Sequence, residues 1–173
     1  MTARYLVNFL KPFCPEIFVY SSHISNEELQ AYGMKQASLQ EIFSQCKIVT
    51  LHSAMNEKNK HMISRELLSL LKPDSLLINT ARGGLIDEEA MIELLSSGNF
   101  RAVLDVFEHE PLPGSHPLRQ MENVYVIPHR AGPTYDRRKF VTDALIEDVK
   151  NWEKGLPMRT EISRKYAGFM TRE

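Results

Sequence analysis

The sequence holds only two cysteines, Cys14 and Cys46, too few for a disulfide framework in 173 residues. Free thiols together with eight methionines fit a reducing compartment, and a cytoplasmic protein is expected. An excess of one charge sign is also missing, since 21 Lys and Arg oppose 22 Asp and Glu for a net charge of -1. Without a basic surplus there is no electrostatic case for nucleic acid, and without an acidic run there is none for a solvating tail. No apolar run approaches the roughly 20 residues that cross a bilayer, so no membrane partner is expected. The apolar opening at residues 1–7 is broken by Asn8, ends at Lys11-Pro12 and lacks a small-residue cleavage site. It is read as the opening of the fold rather than as an export signal. There is no internal repeat and no G-x-S-x-G to supply a serine nucleophile. His109, His116 and His129 match no zinc spacing and have no cysteine pair beside them, so no metal is expected.

What is present is ordinary globular composition: 43% hydrophobic and 25% charged is too apolar for a disordered chain. Continuous apolar runs at residues 16–20, 47–51, 75–80, 102–107 and 124–128 read as strands buried on both faces. Between them lie helix signals. Ser38 with Glu41 three residues on has the pattern of a capping box. Leucines cluster at helical spacing in residues 64–71. Asp87 precedes Glu88-Glu89, acids that a helix N-terminus favours, and Met91, Leu94 and Leu95 form a stripe that Gly98 closes. A longer helix from about Thr134 to Lys154 is expected to bury Val141, Leu145, Val149 and Trp152. This alternation predicts an α/β fold, a parallel sheet of about five strands with helices on both faces. Cys46, at the end of a helix, is expected to pack rather than react.

In such sheets ligands sit beyond the carboxyl ends of the strands. The residues there are Arg82 with Gly83-Gly84, then Asp105 and Glu110, then His129 before Gly132. An arginine beside glycines can grip a planar anion with a bidentate fork, or can be a surface arginine in a shaped turn. Asp105 lies within an apolar run and needs buried partners. A histidine at a strand end can exchange protons near neutral pH, although a lone one is more often structural. Three such groups after successive strands favour a site: anion clamp, orienter and proton donor.

Residues 79–87, 104–112 and 128–132 resemble the signature segments of the NAD-dependent D-2-hydroxyacid dehydrogenases, with His129 standing 19 positions after Glu110 (129 − 110 = 19). The resemblance covers about residues 2–155. It implies a Rossmann-like domain over residues 1–155, with residues 156–173 as a C-terminal tail. It implies an oxidoreductase moving hydride between NAD, or NADP, and a small-molecule 2-oxo or 2-hydroxy acid. By the same resemblance Arg82 binds the substrate carboxylate, His129 is the general acid and base, and Glu110 hydrogen-bonds that histidine. Asp105 contacts the nicotinamide carboxamide. Ala81 and Arg82 lie against the nicotinamide side, and Thr80, His129 and Gly132 are cofactor-binding positions as well. Residues 51–54 match a cofactor-lining loop, with His52, Ser53 and Ala54 in it, and Ala54 stands where the family usually has proline. Ser21 stands where an acidic residue would hold the adenosine ribose.

The resemblance also implies what is missing. The family's first strand, its G-x-G-x-x-G turn and its substrate domain have no counterpart in this sequence, so an incomplete, truncated domain is expected. The missing strand is expected between the runs at 16–20 and 75–80, with compensation by a second chain, a swapped segment or residues 5–10 recruited as a strand. A homodimer is expected. The alternative to an enzyme is a non-catalytic nucleotide-binding or partner-binding module derived from one.

Overall fold

In the computed structural model, which describes residues 2–13, 16–21 and 23–167, every strand pair is parallel. The elements are α1 (Thr2–Leu10), β1 (Ile17–Val19), α2 (Asn26–Tyr32), β2 (Met34–Gln36), α3 (Leu39–Gln45), β3 (Ile48–Leu51) and α4 (Arg65–Leu68). They continue with β4 (Leu76–Asn79), α5 (Glu88–Ser96), β5 (Arg101–Leu104), β6 (Val124–Val126), α6 (Tyr135–Glu153) and α7 (Arg164–Ala167). The helix starts obey their sequences. Ser38 Oγ accepts the Glu41 N–H at 3.2 Å while the Glu41 carboxylate takes the Ser38 N–H at 2.8 Å, a closed capping box. Asp87 caps α5 by accepting the Ala90 N–H at 3.0 Å. Gly98, at φ +73°, follows the last turn in the left-handed region that glycine enters without a Cβ penalty.

The strands form two sheets, β1-β2 and β3-β4-β5-β6. One face of the larger sheet presents Val49, Leu77, Ala102 and Leu104, alternate residues of adjacent strands. They pack on Phe43 of α3, Leu67 and Leu68 of α4, and Ala90, Met91 and Leu95 of α5, as the leucine and methionine spacing predicts. Cys46 ends α3 and packs against this core.

Five expectations are corrected. The strands are not buried on both faces: β4 and β5 alternate, with Ile78 and Val103 only half-buried, because the α3–α5 layer covers one side. A sixth strand, β2, and the helix α2 before it were missed. Their signals are weak, since only Met34 of β2 is buried. The run at 102–107 stops being strand after Leu104, where Asp105 turns to other partners. Residues 5–10 are not a strand, because α1 spaces Leu6, Val7 and Leu10 at helical intervals with Val7 inward. The run at 75–80 does not border an open edge, because β4 is paired on both sides by β3 and β5 and the edge strands of its sheet are β3 and β6.

The long helix α6 forms, but Val141 (49%), Leu145 (52%), Val149 (58%) and Trp152 (69%) are exposed. Periodicity reveals that a face is apolar, not what it meets, and no residue of α6 belongs to the core cluster. The helix holds the tail through Asp148, a buried carboxylate that accepts N–H bonds from Arg159 (2.8 Å) and Thr160 (2.7 Å) and the Thr160 hydroxyl. The Thr160 hydroxyl first, then the Arg159 amide, hold the Asp148 carboxyl below the usual carboxylate range. A lowered folded-state value contributes stability above the unfolded value, and the contribution is lost as pH falls through the folded one. Trp152, the one tryptophan, lines a groove with Met158 and Thr160. Its fluorescence is expected to hold steady through the ordinary carboxylate range and to shift only below it. Asp148→Ala should bring the shifted spectrum at neutral pH. A transition centred in the ordinary range would contradict the bonding.

Candidate active site

Parallel pairing puts the carboxyl ends of β3, β4, β5 and β6 on one edge of the sheet. After β4, the buried Asn79 shapes the turn: its amide nitrogen donates to the Arg82 carbonyl at 2.9 Å and its amide oxygen accepts the Ala81 N–H at 3.0 Å. This leaves the Arg82 side chain exposed, one guanidinium nitrogen donating to the Ala81 carbonyl at 2.6 Å. Gly83 then passes so close to the next loop that a Cβ would stand 2.0 Å from the Phe107 carbonyl carbon and oxygen and 2.5 Å from the Glu108 nitrogen. Here the glycine is required by a backbone pressed against it.

After β5, both Asp105 oxygens turn to the loop beyond β6, accepting the Arg130 N–H at 2.6 Å and the Ala131 N–H at 2.9 Å. Asp105 is fully buried, so these are low-dielectric, charge-assisted bonds. They stand directly after His129, whose φ of +50° lies in the left-handed region where a non-glycine residue costs roughly 1–2 kcal/mol. The Asp105 grip on the following two amides offsets that cost and fixes the turn that presents the imidazole. Asp105→Asn, which keeps one acceptor oxygen, is expected to destabilise by about 1–2 kcal/mol in denaturant titration. An unchanged midpoint would show that the loop holds itself.

The imidazole meets Glu110. His129 Nδ1 lies 2.6 Å from Glu110 Oε2, and the other carboxylate oxygen accepts the Phe107 N–H at 3.0 Å. An ionised carboxylate only accepts, so the ring proton sits on Nδ1, leaving Nε2 to exchange protons with a ligand. The side chains of His129 and Glu110 are 52% and 32% exposed, open enough for a ligand to reach.

The other expected positions sit as follows. Thr80 and Ala81 lead into the Arg82 turn, and Gly132 has open space where a Cβ would project. In the loop after β3, His52 Nε2 lies 3.2 Å from the Thr50 hydroxyl, and burial pushes its imidazole below the usual histidine range. Ser53 is exposed, and the Ala54 carbonyl accepts from Asn59 at 2.6 Å. Ser21 follows β1 in the smaller sheet, its hydroxyl accepting the His23 N–H at 3.2 Å. Sequence reasoning missed Asn79, whose place at a strand end was the available signal. It also missed the hydrogen bond between the His61 imidazole and the Glu108 carboxylate, which joins segments 47 residues apart.

Residues 2–131 match the family model described as D-isomer specific 2-hydroxyacid dehydrogenase, NAD binding domain. The chain is 35% identical over 152 residues to a D-3-phosphoglycerate dehydrogenase of Methanocaldococcus jannaschii, covering 87% of this chain and 29% of that protein. It is 32% identical to a glyoxylate reductase of Korarchaeum cryptofilum, over 84% of this chain and 44% of that one. The chain thus spans less than half the length of these curated relatives. Among solved structures, a D-lactate dehydrogenase with NAD+ from Lactobacillus jensenii superposes with a TM-score of 0.81 at 25% identity. That match covers 92% of this chain and 52% of the other.

Proposed function

The chain belongs to the D-isomer specific 2-hydroxyacid dehydrogenases, through their NAD binding domain, and on that premise we propose that it serves hydride transfer between a nicotinamide cofactor and a 2-oxo or 2-hydroxy acid. The observation that carries this reading is the 2.6 Å contact of Glu110 with His129 at the sheet edge that also bears Arg82. The Arg82 guanidinium takes the substrate carboxylate through its fork. His129 Nε2 gives its proton to the carbonyl oxygen in reduction and removes it from the hydroxyl in oxidation. Glu110 holds the ring in the tautomer that leaves Nε2 facing the substrate and stabilises the ring when it is charged. The bound cofactor supplies or accepts the hydride.

The residues present fit the nicotinamide end of such a cofactor. Gly132 has open space beside it, and Asp105 fixes the loop that carries it by accepting the Arg130 and Ala131 N–H groups. The pyrophosphate end is less provided for, since no two of the eight glycines stand at G-x-G spacing. Ser21 favours neither NAD nor NADP. A homodimer belongs to the same reading, supported by the open edges of β1 and β3 and the apolar residues exposed on α6, and a cytoplasmic location rests on the cysteine and methionine content alone. Among the described residues no helix is long and apolar enough to cross a membrane. The second reading is a nucleotide-binding or partner-binding module without turnover.

The test is a chimera in which residues 2–155 replace the aligned segment of the K. cryptofilum glyoxylate reductase. Reduction of glyoxylate, pyruvate or hydroxypyruvate, followed by loss of NADH or NADPH absorbance, is the expected result. A folded chimera that binds NADH and reduces none of them would leave the module reading.

A further inference from the structure

We infer that Glu88, a residue outside the strand-end loops, is a positioning residue for the Glu110–His129 pair and acts through the Phe107–Glu108 peptide. Its role as a positioning residue for catalysis rests on the reading of His129 as the acid and base.

Glu88 is the first residue of α5, where an acid ordinarily faces water and interacts with the helix dipole. Here it is buried at 8% exposure. It is not the cap, because Asp87 already accepts the Ala90 N–H. Its Oε2 instead accepts the Glu108 N–H at 3.1 Å, across 20 residues of sequence, and its Oε1 lies 3.5 Å from His116 Nε2. A buried carboxylate is costly and adds little net stability over an apolar side chain, so its place calls for a specific geometric use.

The peptide that Glu88 holds lies where three segments meet. Its carbonyl and nitrogen occupy the space a Gly83 Cβ would need, so it abuts the Arg82 turn. The Glu108 carboxylate pairs with His61, itself at φ +51°, and so ties in the segment before α4. The N–H of Phe107 is one of the two bonds that fix the Glu110 carboxylate, and the other is His129. The Phe107 N–H belongs to the preceding peptide, joined to the 107–108 peptide at the Phe107 Cα. When the 107–108 peptide shifts and carries Phe107 with it, the Phe107 N–H leaves Glu110 Oε1, and Glu110 keeps only the imidazole it is meant to orient. Glu88 thus reaches the ring tautomer of His129 through three hydrogen bonds: its own to the Glu108 N–H, that of the Phe107 N–H to Glu110, and that between Glu110 and the ring.

The experiment reads that tautomer in the full chain, from the ring nitrogen chemical shifts of His129 in mildly alkaline buffer, with Glu88→Ala, Glu88→Asp and Glu88→Gln. Wild type should show the proton on Nδ1. Glu88→Ala removes the acceptor and should lose that signature, giving the Nε2-protonated mixture of free histidine. Glu88→Asp, one methylene short, should lose it too, and it carries the test if the alanine variant does not fold. Glu88→Gln presents an amide oxygen to the same N–H and should restore the wild-type shifts. Phe43→Leu, a core change on α3 that touches none of these hydrogen bonds, should lower the melting temperature and leave His129 unchanged. Wild-type shifts in a folded Glu88→Ala or Glu88→Asp chain, loss in a folded Glu88→Gln chain, or equal loss in Phe43→Leu would each overturn the inference. Because the readout is geometry, a chimera without reductase activity would sink the oxidoreductase reading and leave the coupling of Glu88 to His129 standing.

Discussion

Titrated by itself with NADH or NADPH, the 173-residue chain is expected to bind dinucleotide weakly and to reduce no 2-oxo acid at an enzyme-like rate. No pair of its glycines has G-x-G spacing, so the pyrophosphate finds no glycine turn whose amides and helix dipole would hold it. Such contacts are worth roughly 0.5–2 kcal/mol each. Arg82 and His129 also lie exposed at the edge of a sheet, with no second wall among the described residues to close over a nicotinamide. The proximity and water exclusion that hydride transfer draws on can reach about 7–11 kcal/mol in favourable cases, and most of that is forgone. Calorimetric titration paired with an absorbance assay checks this. Micromolar affinity with turnover of several per second, abolished by His129→Ala, would contradict it.

Gly83→Ala is expected to be the most damaging single methyl in the site. Its Cβ would lie 2.0 Å from the Phe107 carbonyl carbon and oxygen, which are backbone atoms and cannot swing aside. Relief requires the 79–85 turn and the 105–110 loop to separate. Overpacking of this kind typically costs about 1–3 kcal/mol, and a backbone-on-backbone overlap belongs at or above the upper end. For a chain of this size about 3 kcal/mol lowers the melting temperature by roughly 6–12 °C. Because the N–H of the same Phe107 anchors Glu110, the His129 ring shifts should change as well. A melt within about 2 °C of wild type, with those shifts unchanged, would show that the two loops part without cost. Gly84→Ala is the useful contrast, since its Cβ would meet only the flexible Met55 sulfur at 2.6 Å.

Much of the edge was legible in the sequence because chemistry and period coincide there. Apolar runs predicted five of the six strands, and Arg82, Asp105, Glu110 and His129 follow the strand ends they were expected to follow. The Glu110–His129 contact was expected from the resemblance of their segments and is present at 2.6 Å. What sequence could not supply was the partner of each polar group. Asp105 was expected to need buried partners, but that they are the amides of residues 130 and 131 depends on the curl of the loop past β6. Glu88 read as an ordinary acid at a helix start, and only the approach of α5 to the 105–110 loop turns it inward. The apolar stripe of α6 had a visible period, yet Trp152 at 69% exposure shows that period does not name a neighbour. The strand β2 was missed because a three-residue edge strand with one buried side chain has almost no pattern.

The central claim is that His129, oriented by Glu110, moves the proton that accompanies hydride transfer. Its most direct test is the reduction of glyoxylate by the chimera carrying residues 2–155, with His129→Gln and Glu110→Gln compared to the wild-type residues at saturating cofactor. Loss of the acid and base is expected to lower turnover by about 10²–10⁴-fold in His129→Gln while NADH binding is retained. Glu110→Gln should fall between, since the ring remains but its tautomer is no longer enforced. Turnover within about threefold of wild type in a folded His129→Gln chimera would contradict the account, because a change that small leaves no general acid and base at that position.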